Sequence, residues 1–193
     1  MAGSDYPLQF SVDYPEEPDR LTTLFRLILA IPIIIVSSLL TGSQAGSQVL
    51  APLAMIVFRQ KYPRWWFDWN LNLMRFETRI FAYAMLLQHE YPSTDQDQTV
   101  HIDLEYPDAE RDLVRWMPLV KWLLAIPHYV VFLFLIIGAL VASVIAWFAI
   151  LFTGRMPRGL FNYIVGVMRY GARVQVYAFV LATDVYPPFS IKE

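Results

Sequence analysis

The sequence predicts a helical membrane protein with a small β portion, built as two tandem copies of one unit. Three observations carry this. The 193-residue chain is 56% hydrophobic and 17% charged, with a mean hydropathy of +0.41, outside ordinary globular usage. From Trp122 to Phe152 no formal charge occurs if His128 is neutral, and about 20 apolar residues suffice to cross a bilayer. Finally, Arg75, Arg79 and Tyr83 recur 94 residues later as Arg169, Arg173 and Tyr177. Ala30-Ile31-Pro32 answers to Ala125-Ile126-Pro127, and Val12-Asp13-Tyr14-Pro15 to Leu104-Glu105-Tyr106-Pro107. Tandem copies of this kind build pseudo-symmetric membrane bundles.

The units run over residues 1–92 and 93–193, each as the same series. A short alternating strand opens each one: Phe10, Val12 and Tyr14, then Val100, Ile102 and Leu104. Apolar residues at every second position mark a half-covered strand. An apolar region follows, 21–58 in the first unit and 114–152 in the second. The polar stretch Thr41–Gln48 interrupts the first; only Gly138 and Ser143 interrupt the second. Gly-Ser clusters are turn chemistry, so each region is expected to fold as a helical membrane hairpin. In the second unit, one long kinked helix is the alternative.

An amphipathic helix closes each unit, over 67–88 and 159–181. Asn162, Gly166, Arg169, Arg173 and Tyr177 form one stripe at helical spacing, with apolar residues around it. Trp65, Trp66 and Trp69 precede the first stripe, and tryptophan favours the headgroup boundary. The helices are expected to lie at the interface, or else to cross with their arginines facing protein or water. An extended tail ends the chain, and further strands are expected after Tyr91 and Tyr186.

Basic residues flank both apolar regions: Arg20, Arg26, Arg59, Lys61 and Arg64, then Arg111, Arg115, Lys121, Arg155 and Arg158. With an even number of crossings per unit they share one face. The positive-inside rule makes that face cytoplasmic, with both termini on it. The acidic segment Glu16-Glu17-Pro18-Asp19 before the first apolar run is not a signal peptide.

Signatures of catalysis are missing. The chain has no cysteine, and His89, His101 and His128 are scattered without partners at metal-ligand spacing. No phosphate-cradling glycine loop or nucleophile elbow occurs. His128 reads as an interfacial histidine or, alternatively, a ligand or pH sensor. No cofactor, metal or nucleic-acid partner is expected. The arginine pairs Arg75/Arg79 and Arg169/Arg173 are the candidate contacts for anionic lipid headgroups or other anions, since guanidinium binds phosphate bidentately. Their bland alternative is snorkelling or pairing with acidic residues. Tyr-Pro occurs six times, at Tyr6, Tyr14, Tyr62, Tyr91, Tyr106 and Tyr186, which suits an interfacial tyrosine and a proline stop between elements.

Leu124-Ala125-Ile126-Pro127-His128-Tyr129, the run Trp147–Phe161 and Tyr186-Pro187-Pro188-Phe189 resemble a bacterial family of integral membrane proteins, the domain of unknown function numbered 4389. The resemblance is close over the second unit and looser over the first. It implies a multi-pass protein of the bacterial cytoplasmic membrane and transfers no activity or site residue. The expected function is a non-enzymatic, oligomeric or accessory subunit that docks another membrane protein or a second copy. The alternative is an oligomeric pore or carrier, for example for anions. A lipid-modifying enzyme ranks third.

Overall fold

A computed structural model describes residues 6–16, 18–42, 45–94 and 96–192. In chain order the elements are β1 (Leu8–Val12), α1 (Arg20–Gly42), α2 (Ala45–Ala54), α3 (Arg64–Ala84), β2 (Val100–Leu104), α4 (Pro118–Leu124), α5 (Ile126–Thr153) and α6 (Arg158–Gln175). Wide π turns, Met55–Arg59 and Val176–Val180, extend α2 and α6. α3 and α6 each begin after a proline, Pro63 and Pro157, whose fixed φ suits the residue before a helix.

The elements form layers. β1 and β2 pair antiparallel, with Leu8 opposite Leu104, Phe10 opposite Ile102 and Val12 opposite Val100. Leu8, Phe10, Val100, Ile102 and Leu104 turn inward and are buried, while Gln9, Ser11, His101 and Asp103 face out. An isolated two-stranded ribbon is marginal, and this one rests on helices: β1 packs on α6 and β2 on α3. On the far side of α3 and α6 lie α1 and α5, packed on them and on each other.

The strands thus form one small sheet as expected, but only two occur among the described residues. The stretches after Tyr91 and Tyr186 are irregular; their carbonyls are taken up by arginines instead of a strand partner. The expected hairpin over 114–152 is also absent. α5 runs unbroken through Gly138 and Ser143, following a short α4. Gly138 serves close approach and not a turn: a Cβ there would stand 2.3 Å from the Tyr163 hydroxyl, which donates to the Leu135 carbonyl. The hairpin in this part of the chain is instead α5 against α6, closed at Gly154. In the first half, α1 and α2 are separate helices whose main contacts lie elsewhere, α1 with α3 and α5, α2 with the π turn ending α6. Most of the predicted loop 41–48 is helical, and Ser43 and Gln44 lie outside the described residues. The two prolines behave differently: Pro32 sits inside α1, while Pro127 marks the start of α5.

The Tyr-Pro sites have a structural use. Tyr6, Tyr62 and Tyr186 donate to the carbonyls of Arg173 (3.0 Å), Val180 (2.8 Å) and Leu124 (3.1 Å). Tyr14 donates to Met156 and Tyr106 to Tyr62, so each strand exit latches onto the start of the helix that supports it. Arg158 lies over the Tyr14 ring and Arg64 over the Tyr106 ring, at 4.8 and 4.9 Å. The two halves therefore brace each other crosswise.

Left-handed backbone occurs at Gln60, Leu86, Gly154 and Leu181, with φ of 50°, 69°, 71° and 60°. A side chain in this region costs about 1–2 kcal/mol, and at Gly154 a Cβ would also meet Arg20 at 2.8 Å. Gly154→Ala should therefore destabilise the detergent-solubilised protein by at least about 1 kcal/mol. Gln60→Gly, at a residue already paying that strain, should be neutral or stabilising by less than about 1 kcal/mol. Paired melting curves would check the contrast.

Candidate functional site

The arginine stripes face the strand layer. Arg75 donates through Nε to the Ile102 carbonyl (2.9 Å) and pairs with Asp103 (3.3 Å). Arg169 donates to the carbonyls of Phe10 and Ile191, both at 3.2 Å. Arg79 reaches the Ser93 carbonyl, and Arg173 those of Ser190 and Lys192. Arg79, Arg169 and Arg173 are buried. All four candidate anion contacts are thus engaged with main-chain carbonyls of the strands and the irregular segments beside them.

Two further cations, counted by the sequence reading among the basic residues flanking the apolar regions, lie inside the protein. Arg26 of α1 is buried, donates to the Gln88 carbonyl and to His89 Nδ1 (2.9 Å), and lies over Tyr83 at 4.7 Å. Lys121 of α4 is fully buried, bonds the Thr183 carbonyl (2.7 Å) and Asp184 (2.7 Å), and lies over Tyr177 at 5.3 Å. Burial pulls the Lys121 ammonium below its ordinary range, and Asp184 pulls it back.

His128 lies inside the protein. It is fully buried, with Nδ1 2.6 Å from the Tyr170 hydroxyl and its ring stacked on Phe189 at 4.1 Å. Burial raises Tyr170 to about 12, and His128 Nε2 has no partner among the described residues.

An apolar cavity of about 560 Å³ lies between α2, α3, α5 and α6. Its polar groups are Glu77, Thr78, Gln48, Gln175 and the Tyr129 hydroxyl; among the described residues its only formal charge is Glu77. Desolvation holds the Glu77 carboxyl above the usual carboxylate range, offset in part by the Gln175 amide. The Gln48 Nε2 is buried without a partner. The sequence reading missed this carboxylate. A signal was there: Glu77 stands between Arg75 and Arg79, about 200° around the helix from either, and so falls on the face away from the arginine stripe. An acidic residue on the apolar side of an amphipathic helix marks a polar site inside the packing. No cluster of three or more metal-ligating side chains occurs among the described residues.

Residues 115–190 match the family model of a domain of unknown function, DUF4389. The match covers the second half, where the resemblance was close. No curated protein and no solved structure matches the chain.

Two outcomes follow from these buried charges. Removing Lys121 or Asp184 singly should cost about 3–5 kcal/mol, because each leaves its partner uncompensated. The double change Lys121→Ala/Asp184→Ala should cost clearly less than the sum, as a denaturation double-mutant cycle would record. For Glu77, the folded carboxyl binds its proton more tightly than the unfolded one. Its ionisation therefore disfavours the fold as pH rises above the ordinary carboxylate value. Glu77→Gln should raise the melting temperature at pH 8, with the gain shrinking as the pH is lowered toward 5.

Proposed function

We propose that this is a non-enzymatic integral membrane protein of the bacterial cytoplasmic membrane, an accessory or assembly subunit that presents a rigid water-facing cap. One observation carries the reading: the exposed large apolar side chains concentrate on α1, α4 and α5. α1 and α5 have 23 and 28 residues, lengths and compositions able to cross a membrane, and little of either is buried. At 1.5 Å per residue they extend about 35 and 42 Å. A core helix of a soluble protein is mostly buried, and exposed apolar patches of more than a few hundred Å² mark contact surfaces. The outer strand face carries Gln9, Ser11, His101 and Asp103 instead, which suits water.

Both chain ends are assigned to this wet face. Tyr6 and the tail at Ser190–Lys192 meet at Arg173, and β2 shares the sheet with β1. The basic residues Arg59, Lys61, Arg155 and Arg158, at the helix ends and the turns between them, favour the cytoplasm for it. The chain is read as a duplicated unit, supported by matching features about 94 residues apart. Left-handed Gln60 and Leu86 correspond to Gly154 and Leu181, and the Arg26–Gln88 contact to Lys121–Thr183. Arg75 to Ile102 likewise corresponds to Arg169 to Phe10, each reaching the opposite half. The arginine pairs would then hold the cap together rather than hold lipid phosphate. The apolar helices remain available for a second copy or another membrane chain.

The natural absence of cysteine makes the test direct. Single cysteines at Ser11 and Glu105 should react with a membrane-impermeant maleimide only after spheroplasts are opened. Cysteines at Leu133 and Val141 should stay unreactive until the membrane is dissolved. Labelling of Ser11→Cys in intact spheroplasts would reverse the orientation, and ready labelling of Leu133→Cys in membranes would remove the lipid-facing assignment.

A further inference from the structure

We propose that the cavity around Glu77 binds an amphiphilic cation, a protonated or quaternary amine carried on an apolar body. Charge complementarity decides the head. Among the described residues Glu77 is the only charged one lining the cavity, with no lysine, arginine or histidine beside it. An anionic head would meet a carboxylate with nothing to offset it, whereas an ammonium would relieve the desolvated charge. The Thr78 hydroxyl gives its proton to the Met74 carbonyl at 2.7 Å, so toward the cavity it can only accept.

The walls fit the same ligand. Phe81, Tyr129, Phe132 and Phe179 line the space, with the Tyr129 and Phe179 rings 6.1 Å apart. Aromatic rings beside a carboxylate are the chemistry that holds ammonium groups. The volume, about 560 Å³, lies in the range of small-molecule pockets. Gly171 shapes it: a Cβ there would stand 2.8 Å from the Phe132 ring, so the glycine lets that ring close against α6. Gly171 also lies 94 residues after Glu77, leaving one carboxylate in the cavity and predicting one amine per chain. Zwitterionic phospholipid carries the same cation beside a phosphate, which this lining does not satisfy.

The test measures thermal stabilisation of the full chain in neutral detergent by dodecylamine, dodecyltrimethylammonium, dodecanol, dodecanoate and dodecylphosphocholine. The two simple amines should raise the melting temperature saturably, and the alcohol and the carboxylate should not. Phosphocholine should act more weakly than trimethylammonium; equal action would move the source to a lipid headgroup and overturn the free-amine assignment. Glu77→Gln, checked as folded by its own melting curve, should weaken the amine response at least about tenfold, the loss expected when a charge-assisted contact becomes a neutral one. Val49→Trp, at the cavity rim and leaving Glu77 in place, should weaken it by blocking entry. Dodecanol matching dodecylamine, an unchanged response in Glu77→Gln, or no amine response in the native chain would each overturn the proposal.

Discussion

Arginine donating to main-chain carbonyl is the interaction on which the cap depends. β1 and β2 make a ribbon of two strands, and the segments beside it form no further strand among the described residues. Their carbonyls would otherwise face either the helices or water without regular partners. Arg75, Arg79, Arg169 and Arg173 solve this from below, each projecting from α3 or α6 into the strand layer. Guanidinium suits the task because one planar group carries five donors and stays charged. An ammonium would serve fewer carbonyls at once.

The crosswise bracing follows from that layer. Because β1 packs on α6 and β2 on α3, neither half can close its core alone. Tyr14 and Tyr106 close the exchange by capping carbonyls at Met156 and Tyr62, beside the starts of α6 and α3. The buried cations Arg26 and Lys121 do the corresponding work at the far ends, taking up the carbonyls of Gln88 and Thr183 just past the end of α3 and the π turn that follows α6. The polar contacts of α1 and α5, at Arg26, His128 and Trp147, point inward, and the outer surfaces of both helices are apolar.

Against this economy Glu77 stands out. The stripe arginines on its helix have carbonyl partners, while this carboxylate sits in an apolar cavity with two glutamine side chains and a threonine. Its desolvation works against folding, so it reads as a binding feature and not a packing one.

Periodicity and composition determined the element types. Two apolar regions, two striped helices and two alternating strands were legible because hydrophobic spacing reports which face of an element is covered, whereas the hairpin expected over 114–152 was not the fold adopted. The offset of 94 residues and the arginine stripes were legible for the same reason. Tertiary contact alone decided the rest. Gly138 reads as a turn until Tyr163 is seen to occupy the space its missing side chain leaves. The carbonyls that the stripe arginines meet belong to residues that only the fold brings beside them. Glu77 becomes a site only when α6 brings Gln175 and α5 brings Phe132 to it. Each depends on which distant segment fills a space, and local spacing carries no record of that.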